Sequence, residues 1–517
     1  MADSLLASYE AVPYDSRPVG PSEIGALEAV ALLYGVSAPP ADHARVLELG
    51  CASGGNLIPM AYRYPDATFV GIDLTPGQIA LGHSDVEALG LRNITLRAMS
   101  IADITDEFGT FDYIVCHGVY SWVPPEVQDA ILRVASRNLS PNGLAYISYN
   151  TLPGWHVRGM VREMVMYHDD RSLPPQDRVL RAKAFVQLLV SQGGAKTTPH
   201  RLSLAEEAMN IEAQDDAHFL HEQLEPYNAP VYFSEFVRRS TAAGLRVVGE
   251  AKLTDTGAAP PDWARRAAGD DAVRAQQYMD FVTGRTFRRS VLCHAGVPSS
   301  PQPGAEALRM LYVALRAEPA VPDDADRAKG GHVESFALPT GGKMTTNNPL
   351  VLAAFHVLLR VAPVALSFND LLQRVNDRLD AMELADLPSS GDRGPALGEL
   401  LLQLALSGFV EVHRYPSPFT RTVSALPAAS EIARQKVASS NVVPSLRHAM
   451  AEVSDVERAV LEDLDGTRDR TELMQRMLER LERGKLAVEG ELPSQAELSN
   501  LIEAVLYRLA SVALLEA

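Results

Sequence analysis

Short apolar runs alternate with amphipathic stretches over the first part of this 517-residue chain. Val46, Leu47 and Leu49 make the first run, and Phe69–Asp73, Asn93–Ala98, Phe111–Cys116 and Gly143–Tyr149 make the next four; each predicts a short buried strand. Helical patterns lie between them, at Ile24–Tyr34 before the first strand, at Leu57–Tyr62 after it and at Pro76–Leu89 after the second. Strands and helices alternating at this pace predict an α/β fold with a doubly wound, parallel sheet. The sheet is unfinished at Asn150. A helix at Val231–Ala243 and strands at Leu245–Lys252 and Thr286–Cys293 would complete it, which leaves 156–230 as a helical insertion carrying Val157–His168, Arg178–Ser191 and Leu204–Gln223. It emerges after the fifth strand, where an insertion is placed to act as a lid or a substrate platform.

The pattern changes after Val297. V-P-S-S-P-Q-P-G reads as a linker, and so does Pro319–Gly342, with Leu308–Ala317 between them fitting either a strand or a helix. Three amphipathic helices follow, Leu350–Val361, Phe368–Leu379 and Pro395–Leu406, and then a hairpin of Phe409–His413 with Thr420–Val423, turned by Tyr415-Pro416-Ser417-Pro418. Three helices and a wing predict a winged helix. Residues 455–517 repeat the helical scheme, either as a degenerate second winged unit or as one helical domain. The expected division is 1–297 for the core, 298–345 for the linker, 346–440 for a winged-helix-like domain and 441–517 for a second C-terminal helical domain.

Chemistry enters at R-V-L-E-L-G-C-A-S-G-G-N-L-I-P, residues 45–59, where a strand, a glycine loop and a helix adjoin. Glycine lets a ligand approach the loop backbone and the helix N-terminus. A dinucleotide fingerprint needs G-x-G-x-x-G, and the spacing of Gly50, Gly54 and Gly55 does not meet it. The pattern E-x-G-x-A-x-G, beginning at Glu48, instead resembles the first motif of class I S-adenosylmethionine (SAM) methyltransferases. Asp73 ends the second strand, where that family places the carboxylate that accepts the ribose hydroxyls. The resemblance implies a Rossmann-like, seven-stranded core that closes with an antiparallel last strand.

In such sheets ligands bind beyond the carboxyl ends of the strands. The cofactor candidates are therefore Glu48, Gly50 and Gly54 in the loop, Asn56 opening the helix, Asp73 and Leu74 at the ribose, Ser100 and Ile101 flanking the adenine, and His117 toward the methionine end. Tyr9 and Tyr14 lie in a Pro-rich segment ahead of the first strand, and Tyr14 is assigned to a flap over the cofactor. Tyr120, Trp122 and Trp155 are expected to wall an acceptor channel, with Asn150 or Tyr149 orienting the nucleophile and His117 either a base or a cofactor contact.

Four further runs look like one family: Y-E-A-V-P-Y-D-S (9–16), H-G-V-Y-S-W-V-P (117–124), S-Y-N-T-L-P-G-W-H (148–156) and Q-Y-M-D-F-V-T-G-R-T-F-R-R-S-V-L-C-H (277–294). They resemble the bacterial methyltransferases carrying a methyltransferase regulatory domain, which include the protein-lysine methyltransferases acting on rickettsial outer-membrane proteins. The resemblance implies SAM as methyl donor and S-adenosylhomocysteine as product. It implies lysine as acceptor less firmly, so a small-molecule N- or O-methyltransferase and a non-catalytic SAM-binding protein stay open.

Composition narrows the partners. The formal net charge is −18, from 47 Lys+Arg against 65 Asp+Glu, which disfavours a nucleic acid and tolerates a basic peptide or amine. The third winged helix, P-A-L-G-E-L-L-L-Q-L-A-L, has no cation to meet a phosphate. Cys51, Cys116 and Cys293 lie far apart, with neither disulfide nor zinc spacing, so no metal is expected. No signal-peptide pattern opens the chain, and His356, Arg360 and Pro363 interrupt its most apolar stretch. The expectation is a cytoplasmic protein, without membrane insertion, that meets a protein or small-molecule acceptor. Among protein acceptors an outer-membrane protein before export is included.

Overall fold

The computed structural model describes residues 6, 9–192, 198–256, 260–321, 333–381, 393–486 and 493–517. A seven-stranded sheet runs in the order β3-β2-β1-β4-β5-β7-β6. Its strands are β1 (Arg45–Leu49), β2 (Thr68–Asp73), β3 (Ile94–Ala98), β4 (Phe111–Cys116), β5 (Leu139–Asn150), β6 (Leu245–Glu250) and β7 (Phe287–His294). The first five pair in parallel, and β7 is antiparallel to both β5 and β6. This is the doubly wound core that the alternating pattern predicts. Strand order reverses between β1 and β4, so the loops after these two strands diverge and leave a crevice.

The insertion is helical, with Gly154–His168, Pro175–Ser191 and Pro199–Glu212 packed around Val161, Val165, Val186, Leu204 and Phe219. The expected helix Leu204–Gln223 is two pieces. Asp215 accepts a hydrogen bond from the His218 amide at 2.8 Å, an N-cap that stops one helix and starts the next turn, Asp216–Phe219.

The run Q-Y-M-D-F-V-T-G-R-T-F-R-R-S is a structural tie. Arg288 on β7 is 2% exposed and donates through Nε and one terminal nitrogen to the two Asp280 carboxylate oxygens, both at 2.9 Å; its other terminal nitrogen reaches Glu250. Helix Ala272–Thr283 is thereby locked to the sheet edge.

Two expectations need correction. Residues 298–345 are not a linker: the 3-10 turn Ala305–Met310 and strands β8 (Tyr312–Leu315), β9 (Glu318–Ala320), β10 (Glu334–Ala337) and β11 (Lys343–Thr346) lie within them, while 322–332 fall outside the described residues. The hairpin does not form either. After β12 (Leu366–Ser367) comes β13 (Val410–His413), and β13 pairs with β8, giving a sheet ordered β12-β8-β13 beside helices Pro349–Val361, Phe368–Asp380 and Arg393–Leu406. Pro416 and Pro418 have no amide hydrogen to donate to a ladder, and Ser417 Oγ accepts from the Ala365 amide instead. The chain leaves the sheet there, and Thr420 donates to the Leu515 carbonyl.

The last unit holds β14 (Val442–Ser445), β15 (Ala449–Glu452) and helices Asp455–Leu461, Arg470–Glu482 and Gln495–Ser511 around a separate core that includes Leu461, Leu473, Ile502 and Leu506. By contrast, the core of the first C-terminal unit is continuous with one face of the large sheet.

Candidate functional site

β1 carries its apolar residues inward and ends at Leu49, after which the loop turns back across the end of β2. Gly50 and Cys51 amides both donate to the Ile72 carbonyl, at 2.8 and 2.9 Å. Gly50 has φ +75°, and a Cβ there would strike Val119. Asp73 fixes the loop from the other side: one carboxylate oxygen accepts the Ala52 amide and the other the Thr75 amide, each at 2.9 Å. A carboxylate oxygen has two lone pairs, so both retain capacity for hydroxyls.

Glu48 is buried beneath the loop. Asn56 Nδ2 donates to its Oε1 at 2.7 Å, while Oε2 has no hydrogen-bond partner among the described residues. Burial raises the Glu48 carboxyl to about 7, against the opposing pull of the Asn56 hydrogen bond. The residue also borders an open cleft of about 790 Å³. A buried carboxyl group with one oxygen unpartnered among the described residues, on a residue that lines a cleft, suits a cationic ligand, and the α-ammonium of SAM is one. The residues present therefore fit the cofactor.

The same cleft is bounded by Tyr14, Gly50, Asn56 and His117 of the expected cofactor set. Gly54, Asp73, Leu74, Ser100 and Ile101 are not in its lining. Asp73 adjoins it through Ala52, Leu74 is exposed, and Ile101 packs into the core beneath the sheet. Eight lining positions are outside the expected cofactor set: Asp15, Ser16, Arg17, Val19, Cys51, Ala52, Asp215 and His218.

Asp215 and His218 come from the insertion, and Asp15, Ser16, Arg17 and Val19 belong to a strap. Tyr9 stacks on His221 of the insertion at 4.3 Å, Glu10 accepts from the Gly77 amide, and the Tyr14 carbonyl accepts from Gln78. Ser16 Oγ accepts from the Gly55 amide at 2.9 Å, and the Val19 amide donates to Asn56. The segment 9–19 thus crosses from the insertion to the glycine loop. Gly55 is required because a Cβ would overlap the Ser16 carbonyl.

His117 ends β4 and shares a hydrogen bond of 2.8 Å between Nδ1 and Tyr146 Oη. Burial, with the charge of Arg289, lowers its pKa to about 4. A neutral imidazole of such low proton affinity is a poor general base near pH 7, and His117 lines the cleft.

The expected aromatic channel is corrected in part. Side chains on β5 alternate faces: Tyr146, Ser148 and Asn150 share one face, and Ile147 and Tyr149 the other. Tyr149 stacks on Phe236 at 4.0 Å and hydrogen-bonds Ser290, and Tyr120 is fully buried edge-on against the same Phe236 at 5.4 Å. Tyr120, expected to wall the channel, and Tyr149, expected as one of two residues to orient the nucleophile, are both buried in the core. Trp122 is half-buried and meets Trp155 edge-to-face at 5.9 Å, while Trp155 is 2% exposed beneath the Arg158 guanidinium. Asn150 lies on the His117 face, and its Nδ2 donates to Asn228 Oδ1 at 3.2 Å. Asn228 returns from the insertion between two prolines, and its role left no periodic signal.

Among the described residues no group of three or more His, Cys, Asp or Glu is arranged to hold a metal, and no helix is long and apolar enough to cross a membrane.

Known proteins share these features. Residues 46–143 match the family described as methyltransferase domain, 215–294 a predicted methyltransferase regulatory domain, and 426–514 the PKMT C-terminal winged helix domain. Protein RP789 of Rickettsia prowazekii is 33% identical over 530 residues, spanning 98% of this chain and 93% of its own length. PKMT2 from Rickettsia typhi, also solved in complex with AdoHcy, superposes with a TM-score of 0.84 at 27% identity, covering 97% of this chain and 100% of its own. With a cofactor loop, a regulatory domain and a winged helix matched in order along nearly its whole length, this chain belongs to the bacterial class I methyltransferases with a methyltransferase regulatory domain, and its methyl donor is SAM.

Proposed function

We propose that the protein methylates lysine side chains of a protein substrate. One observation carries the reading: the likeness to PKMT2, a name that denotes a protein-lysine methyltransferase, extends through the insertion and both C-terminal units rather than stopping at the SAM-binding sheet. The acidic surface suits a cationic acceptor. The reading places the encounter in the cytoplasm, where SAM and proteins awaiting export, including outer-membrane proteins, are both at hand.

SAM, when bound, supplies a methyl group on a sulfonium that a neutral nucleophile displaces in line. The protein's own contribution is to hold and orient. Glu48 would pair with the cofactor's ammonium, Asp73 would meet the ribose hydroxyls, and Tyr14 lines the cleft that would hold it. Lysine arrives protonated, with a reference pKa of about 10.4, so its proton must go before attack. Enclosure between the insertion and the strand ends disfavours the charged form and releases the proton to water. Asn150, steadied by Asn228, then accepts a hydrogen bond from the neutral amine and sets the direction of its lone pair. Trp122 walls the approach, with Trp155 packed behind it as support. Orientation of this kind contributes ~7–11 kcal/mol to such a displacement.

The test is transfer of tritiated methyl from SAM into the protein and small-molecule fractions of the source cell's lysate. Label in a protein band that yields methyl-lysine on acid hydrolysis is the expected result. Label confined to small molecules would overturn the lysine reading and leave the SAM chemistry intact.

A further inference from the structure

The cofactor loop has a partner far away in the chain. His448 sits in the turn between β14 and β15 of the last unit, 4% exposed and in the left-handed region at φ +54°. Its Nε2 lies 2.8 Å from Asn56 Oδ1, across 392 positions of sequence. Asn56 Oδ1 also accepts from the Val19 amide at 2.9 Å, so in this arrangement the oxygen is the acceptor and His448 donates as the neutral Nε2–H tautomer. On its other side the Asn56 amide donates to Glu48 Oε1 and to Ser22 Oγ. The chain of contacts is therefore His448 to Asn56 to Glu48, a residue that lines the cleft and whose second carboxylate oxygen has no partner among the described residues.

The contact is not isolated. Helix Leu57–Arg63, which Asn56 opens, is gripped by the same unit: Tyr62 Oη donates to Glu516 at 2.6 Å and accepts from the Glu431 amide at 3.3 Å, and Gln435 donates to the Ala88 carbonyl behind it. A buried histidine in a strained backbone conformation, aimed at one amide of another domain's ligand loop, needs a stronger reason than packing.

We propose that His448 is a positioning residue for the cofactor: it fixes the Asn56 amide, and through it the Glu48 carboxylate, in the orientation that receives the ammonium of SAM. The last winged-helix unit thereby completes the cofactor site, in addition to any role in contacting an acceptor. Removing the imidazole takes one of the donors from Asn56 Oδ1 and leaves the Val19 amide and Ser22 to hold it, so the amide that donates to Glu48 Oε1 is less firmly fixed.

The experiment is calorimetric titration of the full-length chain with S-adenosylhomocysteine, which requires no acceptor and so is independent of the lysine reading. His448→Gly suits the left-handed backbone and deletes the donor; it is expected to weaken binding about tenfold, a loss of about 1.4 kcal/mol. His448→Gln, with an amide N–H of similar reach, is expected to recover most of that loss. In an Asn56→Ala background the His448→Gly change is expected to add almost nothing, because its target is gone. Wild-type affinity in His448→Gly overturns the proposal, and so does an undiminished effect in the Asn56→Ala background. Should His448→Gly not fold, His448→Asn, which tolerates φ > 0 but is too short to reach, takes its place with the same expected loss and the same overturning results.

Discussion

Glu48 shows what one buried atom can reveal. Its carboxyl is lifted to about 7 by burial, whereas an unfolded glutamate titrates near 4.5. Between these values the folded, ligand-free protein holds a proton that the unfolded chain does not, so this residue's contribution to stability is present below about 4.5 and is lost as pH rises through about 7. A bound ammonium reverses the preference and expels the proton. Cofactor binding is therefore expected to release close to one proton at pH 6, seen as a dependence of the calorimetric enthalpy on the buffer's ionisation heat, with affinity climbing toward pH 7 and flattening above it. Enthalpies identical in phosphate and in a high-ionisation-heat buffer would show that Glu48 does not face the ligand's charge. His117 and His448 run the opposite way: both are held at about 4, so their contribution to stability is present above about 6.5 and lost as pH falls toward 4. At this scale fixed motif spacing led to Glu48 and Gly50, which line the cleft, and to Asp73, which adjoins it through Ala52. It was silent for Asp215, His218, Asn228 and His448, which reach the site only through tertiary contacts made by loops without periodicity. It misled at Tyr120, because an aromatic residue beyond a strand end can turn into the core as readily as toward a ligand.

Elements were easier to read than their limits. The strands of the large sheet announced themselves as apolar runs, and their alternation with helices implied the parallel order. What failed was the wing, since a ladder depends on which strand is near in space, and β8 lies far upstream of β13. Two consequences can be measured. Arg288→Met leaves Asp280, which is wholly buried, without its bidentate partner, and is expected to cost about 3–5 kcal/mol in denaturant unfolding; a loss under about 1 kcal/mol would mean that Asp280 finds another donor. Gly55→Ala places a methyl against the Ser16 carbonyl and should lift the strap. The expected signs are faster proteolytic cleavage within 9–19 and a faster cofactor off-rate in stopped flow, with the sheet's own stability little changed. Unaltered cleavage and off-rate would show that the strap already stands open.

For the molecule as a whole, the division read from the sequence places its boundary where the structure joins rather than separates. The first C-terminal unit shares its apolar interior with the sheet, while the last encloses its own around Leu461, Leu473, Ile502 and Leu506. Linker-like composition hid this, because prolines and glycines mark turns whether or not the strands between them are buried. Differential scanning calorimetry is expected to resolve two transitions, one for the sheet with the first unit and one for the last unit. Saturating S-adenosylhomocysteine should raise both, because the last unit touches the loop that the ligand stabilises. A ligand shift confined to one transition would uncouple the last unit from the site. The contact between Asn56 and His448 also has a meaning in time. The sheet owns all seven strands once the chain has passed His294, yet the partner of its glycine loop is synthesised 392 positions after Asn56. A nascent chain on the ribosome can fold the sheet long before it can make this contact, so the setting of Asn56 that the contact fixes is reached only after the last unit has been synthesised.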